Sequence, residues 1–168
     1  MKTEMEFWYD PNHTGALRII DHNKGLIYGS DPKESYWIVS FEALKKDTLI
    51  VTTGFFSDLA MKSLTNYRNC NFVCMLKLKK FNKKKLSSIL KGYKKILVYD
   101  ENTFYGGISP IINKLVIESN LIKQKIYYLT CPEEKQIFEY STDRMKILED
   151  LGIGKVGLKK KLNYISKL

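Results

Sequence analysis

Two adjacent carboxylates and, a few positions later, two adjacent glycines form the segment of this sequence that comes closest to a chemical motif. The segment from Tyr99 to Gly107 reads YDENTFYGG; it follows the apolar run 96–98 and precedes a mostly apolar stretch from Ile108 to Ile117. This order predicts a strand, a glycine turn and a helix, in which the first helical amides could face an anion such as a phosphate.

The residue types within the segment argue against catalysis. Asp100 and Glu101 would lie at the carboxyl end of a parallel strand, where open α/β sheets bind ligands. Adjacent strand residues point to opposite faces, so the two carboxylates make a poor acid and base pair. Gly106 and Gly107 are not followed by the Lys-Ser/Thr of a P-loop, and the G-x-G-x-x-G spacing is absent. We therefore interpret these residues, with Asn102, as turn residues that could contact a ligand or another domain.

Histidines and cysteines predict neither a catalytic triad nor a metal site. His13 and His22 fall in predicted loops near the start of the chain, and no motif supplies a nucleophile for them. The three cysteines lack the paired spacing of a metal site: Cys70, Cys74 and Cys131. Free, mostly buried thiols are the simpler interpretation, and they favour a reducing, cytoplasmic location.

Composition favours one folded domain with a charged coat. The chain has 168 residues, 44% of them hydrophobic, and a net charge of +10. Only three of its 28 basic residues are arginine, the residue preferred for reading bases and phosphates, so nucleic acid is not the expected partner. We expect no membrane span, because no apolar run reaches the required length.

From Asp47 onward, short apolar runs alternate with segments of helical periodicity, which is typical of a sheet covered by helices on both faces. The predicted strands are Thr48–Thr53, Asn71–Leu76, Lys95–Tyr99 and Lys125–Leu129. Gly54 is predicted to end the first strand, with Ser57 or Asp58 capping the helix that follows. The fold prediction is therefore a three-layer α/β/α domain with a mostly parallel sheet of about five strands, if one early strand joins it.

The first 46 residues have a different pattern. Strands are predicted over 15–20 and 36–39, and they either extend the sheet at its edge or belong against a neighbouring domain. Aromatic clusters at 7–9 and at Phe55-Phe56 predict exposed apolar surface, and with it a homodimer.

Three segments together resemble the C-terminal domain of the transketolase family, and within it the deoxyxylulose phosphate synthase branch most. They are the run 47–54, the segment KKILVYDENTFYGGISPIINKLV, and the segment FEYSTDRMKILEDLGIGKVGLKKKL. The matching positions are Gly54, Glu101, Asn102, Gly106, Gly107, Phe138, Leu151 and Gly152. The resemblance implies that 47–168 is this domain, and that 1–46 corresponds to the end of a pyrimidine-binding domain plus a linker.

The resemblance also implies what this sequence lacks. In that family, thiamine diphosphate and Mg²⁺ are held between a pyrophosphate-binding domain of one protomer and a pyrimidine-binding domain of another. The Gly-Asp-Gly…Asn motif for the metal and diphosphate is absent here, so no cofactor, metal or catalytic residue is assigned to this chain.

Two functions follow as hypotheses. In the first, the chain is a C-terminal subunit or fragment of a thiamine diphosphate-dependent, deoxyxylulose phosphate synthase-like enzyme and serves dimerisation and assembly, with the cofactor domains on a partner chain. In the second, it is an independent module that binds an anionic ligand, such as a sugar phosphate, at the carboxyl end of the sheet near Glu101.

Overall fold

A six-stranded sheet with helices on both faces forms the body of the protein. The computed structural model describes residues 4–10, 13–20, 27–28, 36–40, 47–64, 70–75, 78, 81–134 and 143–168. The strands are β1 (Glu4–Asp10), β2 (His13–Ile20), β3 (Ile27–Tyr28), β4 (Tyr36–Ser40), β5 (Thr48–Thr53), β6 (Cys70–Met75), β7 (Lys95–Thr103) and β8 (Lys125–Cys131). The helices are α1 (Phe55–Leu64), α2 (Lys83–Lys91), α3 (Ser109–Glu118), α4 (Arg144–Asp150) and α5 (Lys155–Ser166).

The strand order in the sheet is β3-β4-β6-β5-β7-β8. The four strands β6, β5, β7 and β8 run parallel, and the α/β fold predicted from the sequence is confirmed. The parallel part has four strands, not five; β4 adds to β6 in the antiparallel direction, and the two-residue β3 follows it. β1 and β2 form a separate antiparallel pair. The division of the chain at residue 46 stays a prediction.

Two apolar cores lie on opposite faces of the sheet. Ile50 and Leu97 face a core closed by α1, α4 and α5. Val51 and Val98 face a second core closed by α2 and α3. Because side chains alternate along a strand, central strands buried on both faces must be apolar at nearly every position, which explains the continuous β-branched run of β5.

The helix ends follow sequence signals with one exception. The side chain of Asn82 caps α2 by accepting from the Lys85 amide at 3.0 Å, and Asp143 caps α4 in the same way. The prediction that Ser57 or Asp58 caps the first helix is wrong. Gly54, at φ +53°, turns the chain so tightly that α1 already begins at Phe55.

Candidate functional site

Asp100 is buried beneath the start of α3, at the carboxyl end of β7. It is 1% exposed, and its Oδ2 accepts a hydrogen bond of 2.7 Å from the backbone amide of Ile108. Its Oδ1 accepts from the backbone and side-chain nitrogens of Asn102, at 3.3 and 3.2 Å. A buried carboxylate is stable only when hydrogen-bond donors surround it. Here the start of α3 and the segment that leads to it provide those donors. Asp100 therefore occupies the position where a helix N-terminus would hold a bound anion.

Gly107 makes this arrangement possible. Its φ is +62°, a left-handed conformation that side chains disfavour, and a Cβ built on it would overlap the Asp100 carboxylate and crowd the Asn102 amide. Gly106 has ordinary space around it, with Asn102 Cβ 3.5 Å from where its own Cβ would lie. Of the two glycines in the motif, Gly107 is the one that the close approach of backbone and carboxylate requires.

Glu101 lies on the opposite side of the strand end and is about half exposed. It forms an ion pair with Arg144, the first residue of α4, whose guanidinium lies 4.3 Å from the centre of the Phe55 ring. This group joins β7, α1 and α4, three elements that are distant in sequence. The expectation of exposed apolar surface at Phe55-Phe56 is wrong: Phe56 is 1% exposed in the core, and Arg144 covers the half-buried Phe55.

Charge is divided across the carboxyl end of the sheet. Acidic residues surround the ends of β7 and β8: Glu101, Glu133, Glu134 and Asp143. On the far side, α2 begins with three exposed lysines, 83–85. Because like charges repel, the Glu101 carboxylate disfavours an anion beside it, and Arg144 is the cation that pairs with Glu101.

An open apolar groove of about 440 Å³ lies beside the motif, between the loop that follows β7 and the outer surface of α3. Phe104 forms its inner wall and packs edge-on against Tyr128, with ring centres 4.8 Å apart. The Tyr128 hydroxyl donates to the side-chain oxygen of Asn113 on α3, and burial of this hydroxyl raises the pKa of Tyr128. The groove lining is thus nearly apolar. Tyr128 connects its two walls, since its ring packs on Phe104 and its hydroxyl bonds to Asn113.

Two of the three cysteines lie in another strand of the sheet, and the third lies near Glu101. Cys70 and Cys74 lie in β6, and burial raises the pKa of each thiol to about 11, which leaves both neutral at physiological pH. Burial, and then the negative charge of Glu101, raises the pKa of Cys131. His13 is the first residue of β2 and not a loop residue, and His22 lies outside the described residues.

The described residues do not fit a thiamine diphosphate and magnesium site. No group of three potential metal ligands occurs among them, and the amide of Ile108, which could face a diphosphate, is bonded to Asp100. The prediction that this chain alone binds no cofactor stays a prediction. Within the same part of the chain, none of the helices has the length and apolar character needed to cross a membrane.

Sequence reasoning missed two interactions. The Glu101–Arg144 pair joins residues 43 positions apart, and the buried Tyr99 hydroxyl donates to the Ile153 carbonyl at 2.7 Å. One signal was available for Arg144, since Asp143 caps its helix and so places it near the strand ends. For Tyr99, its position directly after the aliphatic run 96–98 gave no indication of which carbonyl it would reach.

Comparison with known proteins places the fold. No protein-family model matches the sequence, and no curated protein matches it. A solved structure described as "Split gene transketolase, inactive beta4 tetramer" is similar, with a TM-score of 0.57 and 18% sequence identity. The match covers 71% of this chain and 40% of that chain, so more than half of that neighbour has no counterpart in the match. The protein thus has a transketolase-like α/β fold; this likeness does not single out the deoxyxylulose phosphate synthase branch.

Proposed function

We propose that this chain is the C-terminal subunit or fragment of a thiamine diphosphate-dependent, transketolase-like transferase and that it serves dimerisation and assembly. A partner chain supplies the pyrophosphate- and pyrimidine-binding domains, and with them thiamine diphosphate and Mg²⁺. The observation that carries the proposal is the state of the motif at the end of β7: Asp100 is bonded to the start of α3 and Glu101 to Arg144. The groups that a small ligand would use are already engaged in holding the domain together.

The finer assignment rests on the sequence resemblance. Glu101, Asn102, Gly106 and Gly107 match a structural signature of the deoxyxylulose phosphate synthase branch, and we assign the chain to a synthase of that kind. The three free cysteines support a reducing, cytoplasmic location.

Binding of an anionic ligand near Glu101 is the competing function. The acidic residues around that position oppose it, and the amide at the start of α3, that of Ile108, already donates to the Asp100 carboxylate. Arg144 is the cation that such a ligand would recruit, and it would first have to release Glu101.

Co-expression tests the proposal. The full chain is produced with the chain of the same genome that carries the two cofactor domains, and complex mass and thiamine diphosphate-dependent transfer are measured. We expect a stable complex and activity that requires both chains. Separate migration of the chains, with activity that the partner shows alone, would contradict the proposal.

A ligand arm separates the two functions. Ribose 5-phosphate and inorganic phosphate are titrated against the purified chain while its thermal unfolding is followed. If the site is real, a free ligand concentration of 100 times the dissociation constant would raise the free energy of unfolding by about 2.7 kcal/mol. The assembly function predicts no such shift. A phosphate-dependent shift that Arg144→Ala removes and the control Lys146→Ala retains would support the competing function.

A further inference from the structure

The two edges of the six-stranded sheet are treated differently by the fold. At one edge, the antiparallel β4 covers β6, and β3 follows it. At the other edge, β8 pairs with β7 and with no further strand among the described residues. β8 has seven residues, no proline or glycine, and one charged side chain, that of Lys125 at its start. Edge strands are usually short or carry prolines or several charges, because exposed amides and carbonyls pair readily with another chain, and β8 has none of these protections.

Parallel pairing fixes which backbone groups of β8 point outward. The Lys125 amide donates to the Lys94 carbonyl at 2.9 Å, so the backbone groups of Lys125 face β7. In a parallel ladder, the amide and carbonyl of one residue point to the same side, and those of the next residue point to the other. Ile126, Tyr128 and Thr130 therefore direct their amides and carbonyls away from β7. The outer edge presents three donors and three acceptors to an added strand.

Tyr128 joins this edge to the apolar groove beside α3. Its backbone faces outward, its ring packs against Phe104 with ring centres 4.8 Å apart, and its hydroxyl bonds to Asn113. Phe104 and Asn113 both line the groove of about 440 Å³. Alternate side chains of a strand share one face, so those of an added strand on the α3 side would lie beside Tyr128 and reach the groove. Such a ligand gains apolar contacts as well as main-chain hydrogen bonds.

Charges at the two ends of β8 indicate the chemistry of the added strand. Lys123 and Lys125 are exposed at the start of β8, and Glu133 and Glu134 are exposed just after its end. A complementary segment carries acidic residues opposite the lysines and basic residues opposite the glutamates. Antiparallel pairing, which β4 uses at the other edge, is the more stable kind per residue. It places the basic residues at the amino end of the segment and the acidic residues at its carboxyl end.

β8 of a second copy fits the edge less well than a separate segment does. Its apolar side chains are already packed against the two cores of its own chain: Ile126 and Tyr128 on one face, and Tyr127 and Leu129 on the other. A second copy could therefore pair its backbone but would leave the groove unfilled. The groove requires a segment whose side chains are not committed to a core.

We propose that the outer edge of β8 binds an extended segment of another protein, which joins the sheet as an antiparallel strand. The segment has basic residues at its amino end, acidic residues at its carboxyl end, and apolar side chains at alternate positions, which enter the groove. This binding function goes beyond assembly with the chain that carries the cofactor domains and does not depend on it.

Amide hydrogen exchange of the full chain, resolved by residue with NMR, tests the edge. In the chain alone, the amides of Ile126, Tyr128 and Thr130 should exchange faster than the alternate amides that bond to β7. The probe is a peptide of alternating valine and threonine, as long as β8, with two arginines at its amino end and two glutamates at its carboxyl end. It should slow exchange at the three outward amides. Protection of these amides without peptide, or no change at about 1 mM peptide, would overturn the proposal.

A proline variant tests the outward amides directly. Thr130→Pro removes one of them and keeps the bonds to β7, because proline is tolerated where an edge amide faces solvent. It should weaken peptide binding at least about tenfold. The matched control, Thr130→Val, retains the amide and should bind as the wild type does. Circular dichroism checks the fold of both variants, and undiminished binding by a folded Thr130→Pro chain would overturn the proposal.

Charge reversal tests the orientation without a backbone change. A chain with both Glu133→Lys and Glu134→Lys should bind the probe more weakly than the wild type does, and should bind a peptide with glutamates at both ends more tightly. Equal binding of each peptide by the two chains would contradict the charge assignment. Tighter binding of the wild type to a peptide with the two charged ends exchanged would overturn the antiparallel orientation.

Sedimentation equilibrium separates the remaining outcomes. If the chain alone dimerises and the dimer protects the three outward amides, a second copy is the occupant and the proposal is overturned. An active complex with the chain that carries the cofactor domains, without any binding of the probe, would remove the edge site and leave the assembly function in place. Binding of the probe without such a complex would do the reverse.

Discussion

The starts of α3 and α5 are built alike but differ in how rigidly they are held. In both, a carboxylate from the preceding element accepts a hydrogen bond from a backbone amide at the start of the helix. Asp100 accepts from Ile108 at 2.7 Å, and Glu149 accepts from Val156 at 3.2 Å. In both, a glycine lies against the carboxylate, because a Cβ there would overlap it. The two starts thus solve the same problem, the unpaired amides of a helix N-terminus, with the same residue types.

Burial separates them. Asp100 is 1% exposed, whereas Glu149 is half-buried on a longer side chain that can move. Gly107 has φ +62°, while Gly154 has φ −74°, which any residue adopts. The α3 start therefore depends on one carboxylate in one position and on one glycine conformation. The α5 start can adjust, because the Glu149 side chain is only half-buried. The same residue types therefore tolerate less change where the carboxylate is fully buried.

The largest difference is expected for the glycines. Gly107→Ala combines the cost of a left-handed backbone with overlap of a buried carboxylate, and should lower the free energy of unfolding by about 4 kcal/mol. Gly154→Ala should cost less than about 1 kcal/mol, because the half-buried Glu149 side chain can move aside. Urea unfolding followed by circular dichroism measures both.

Gly54→Ala is the control for backbone conformation. Gly54 also has a positive φ but no atom within 4 Å of where its Cβ would lie, so the change should cost about 1.5 kcal/mol. Equal losses for Gly54→Ala and Gly107→Ala would show that the Asp100 carboxylate exerts no steric constraint, and the comparison would fail.

The carboxylates should differ by a smaller amount. Asp100→Asn leaves an amide facing donors from Asn102 and Ile108, so at least one buried group loses its partner, at a cost of about 2 kcal/mol. Glu149→Gln retains an acceptor near solvent and should cost about 0.5 kcal/mol. Thermal unfolding at pH 7 measures both variants, and similar losses would mean that burial does not distinguish the two helix starts.

The last prediction concerns Tyr99, which links the two regions through a hydrogen bond from β7 to the Ile153 carbonyl. Tyr99→Phe keeps the buried ring, removes one hydrogen bond and should cost about 1.5 kcal/mol at pH 7. Burial, and then the negative charge of Glu149, raises the pKa of Tyr99 above its usual value of 10. The folded state thus retains a proton that the unfolded state loses, so this tyrosine contributes stability that falls as the pH rises above 10.

Measuring the free energy of unfolding between pH 7 and 11 tests this dependence on the Tyr99 proton. The phenylalanine variant lacks the tyrosine contribution, so the gap between the two proteins should narrow above pH 10. Cys70 and Cys74, whose pKa values are also raised by burial, weaken both proteins equally between pH 9 and 11. A gap that is constant from pH 7 to 11 would contradict the assigned role of the Tyr99 hydroxyl.

Local signals predicted the elements better than their ends. The prediction for β7 stopped at Tyr99, whereas the strand continues to Thr103 because that residue pairs with Cys131 after a shift in register. The helix at 109–118 followed from its apolar period and from Pro110 in the first turn. Pairing with a neighbouring strand carries no local signal, so strand ends were the less predictable feature.

The sequence by itself determined the α/β class, the order of the elements from β5 onward, and the glycine turns, because hydrophobic periodicity and backbone sterics act within a few residues. Only the tertiary structure decided what the YDENTFYGG segment does. The Asp100 carboxylate accepts from the Ile108 amide eight positions further along the chain, and Glu101 pairs with Arg144, 43 positions further along. Such partners depend on how β7, α3 and α4 pack in space. Packing also left Ile117 exposed while it buried Phe56, two apolar residues that local sequence alone does not tell apart.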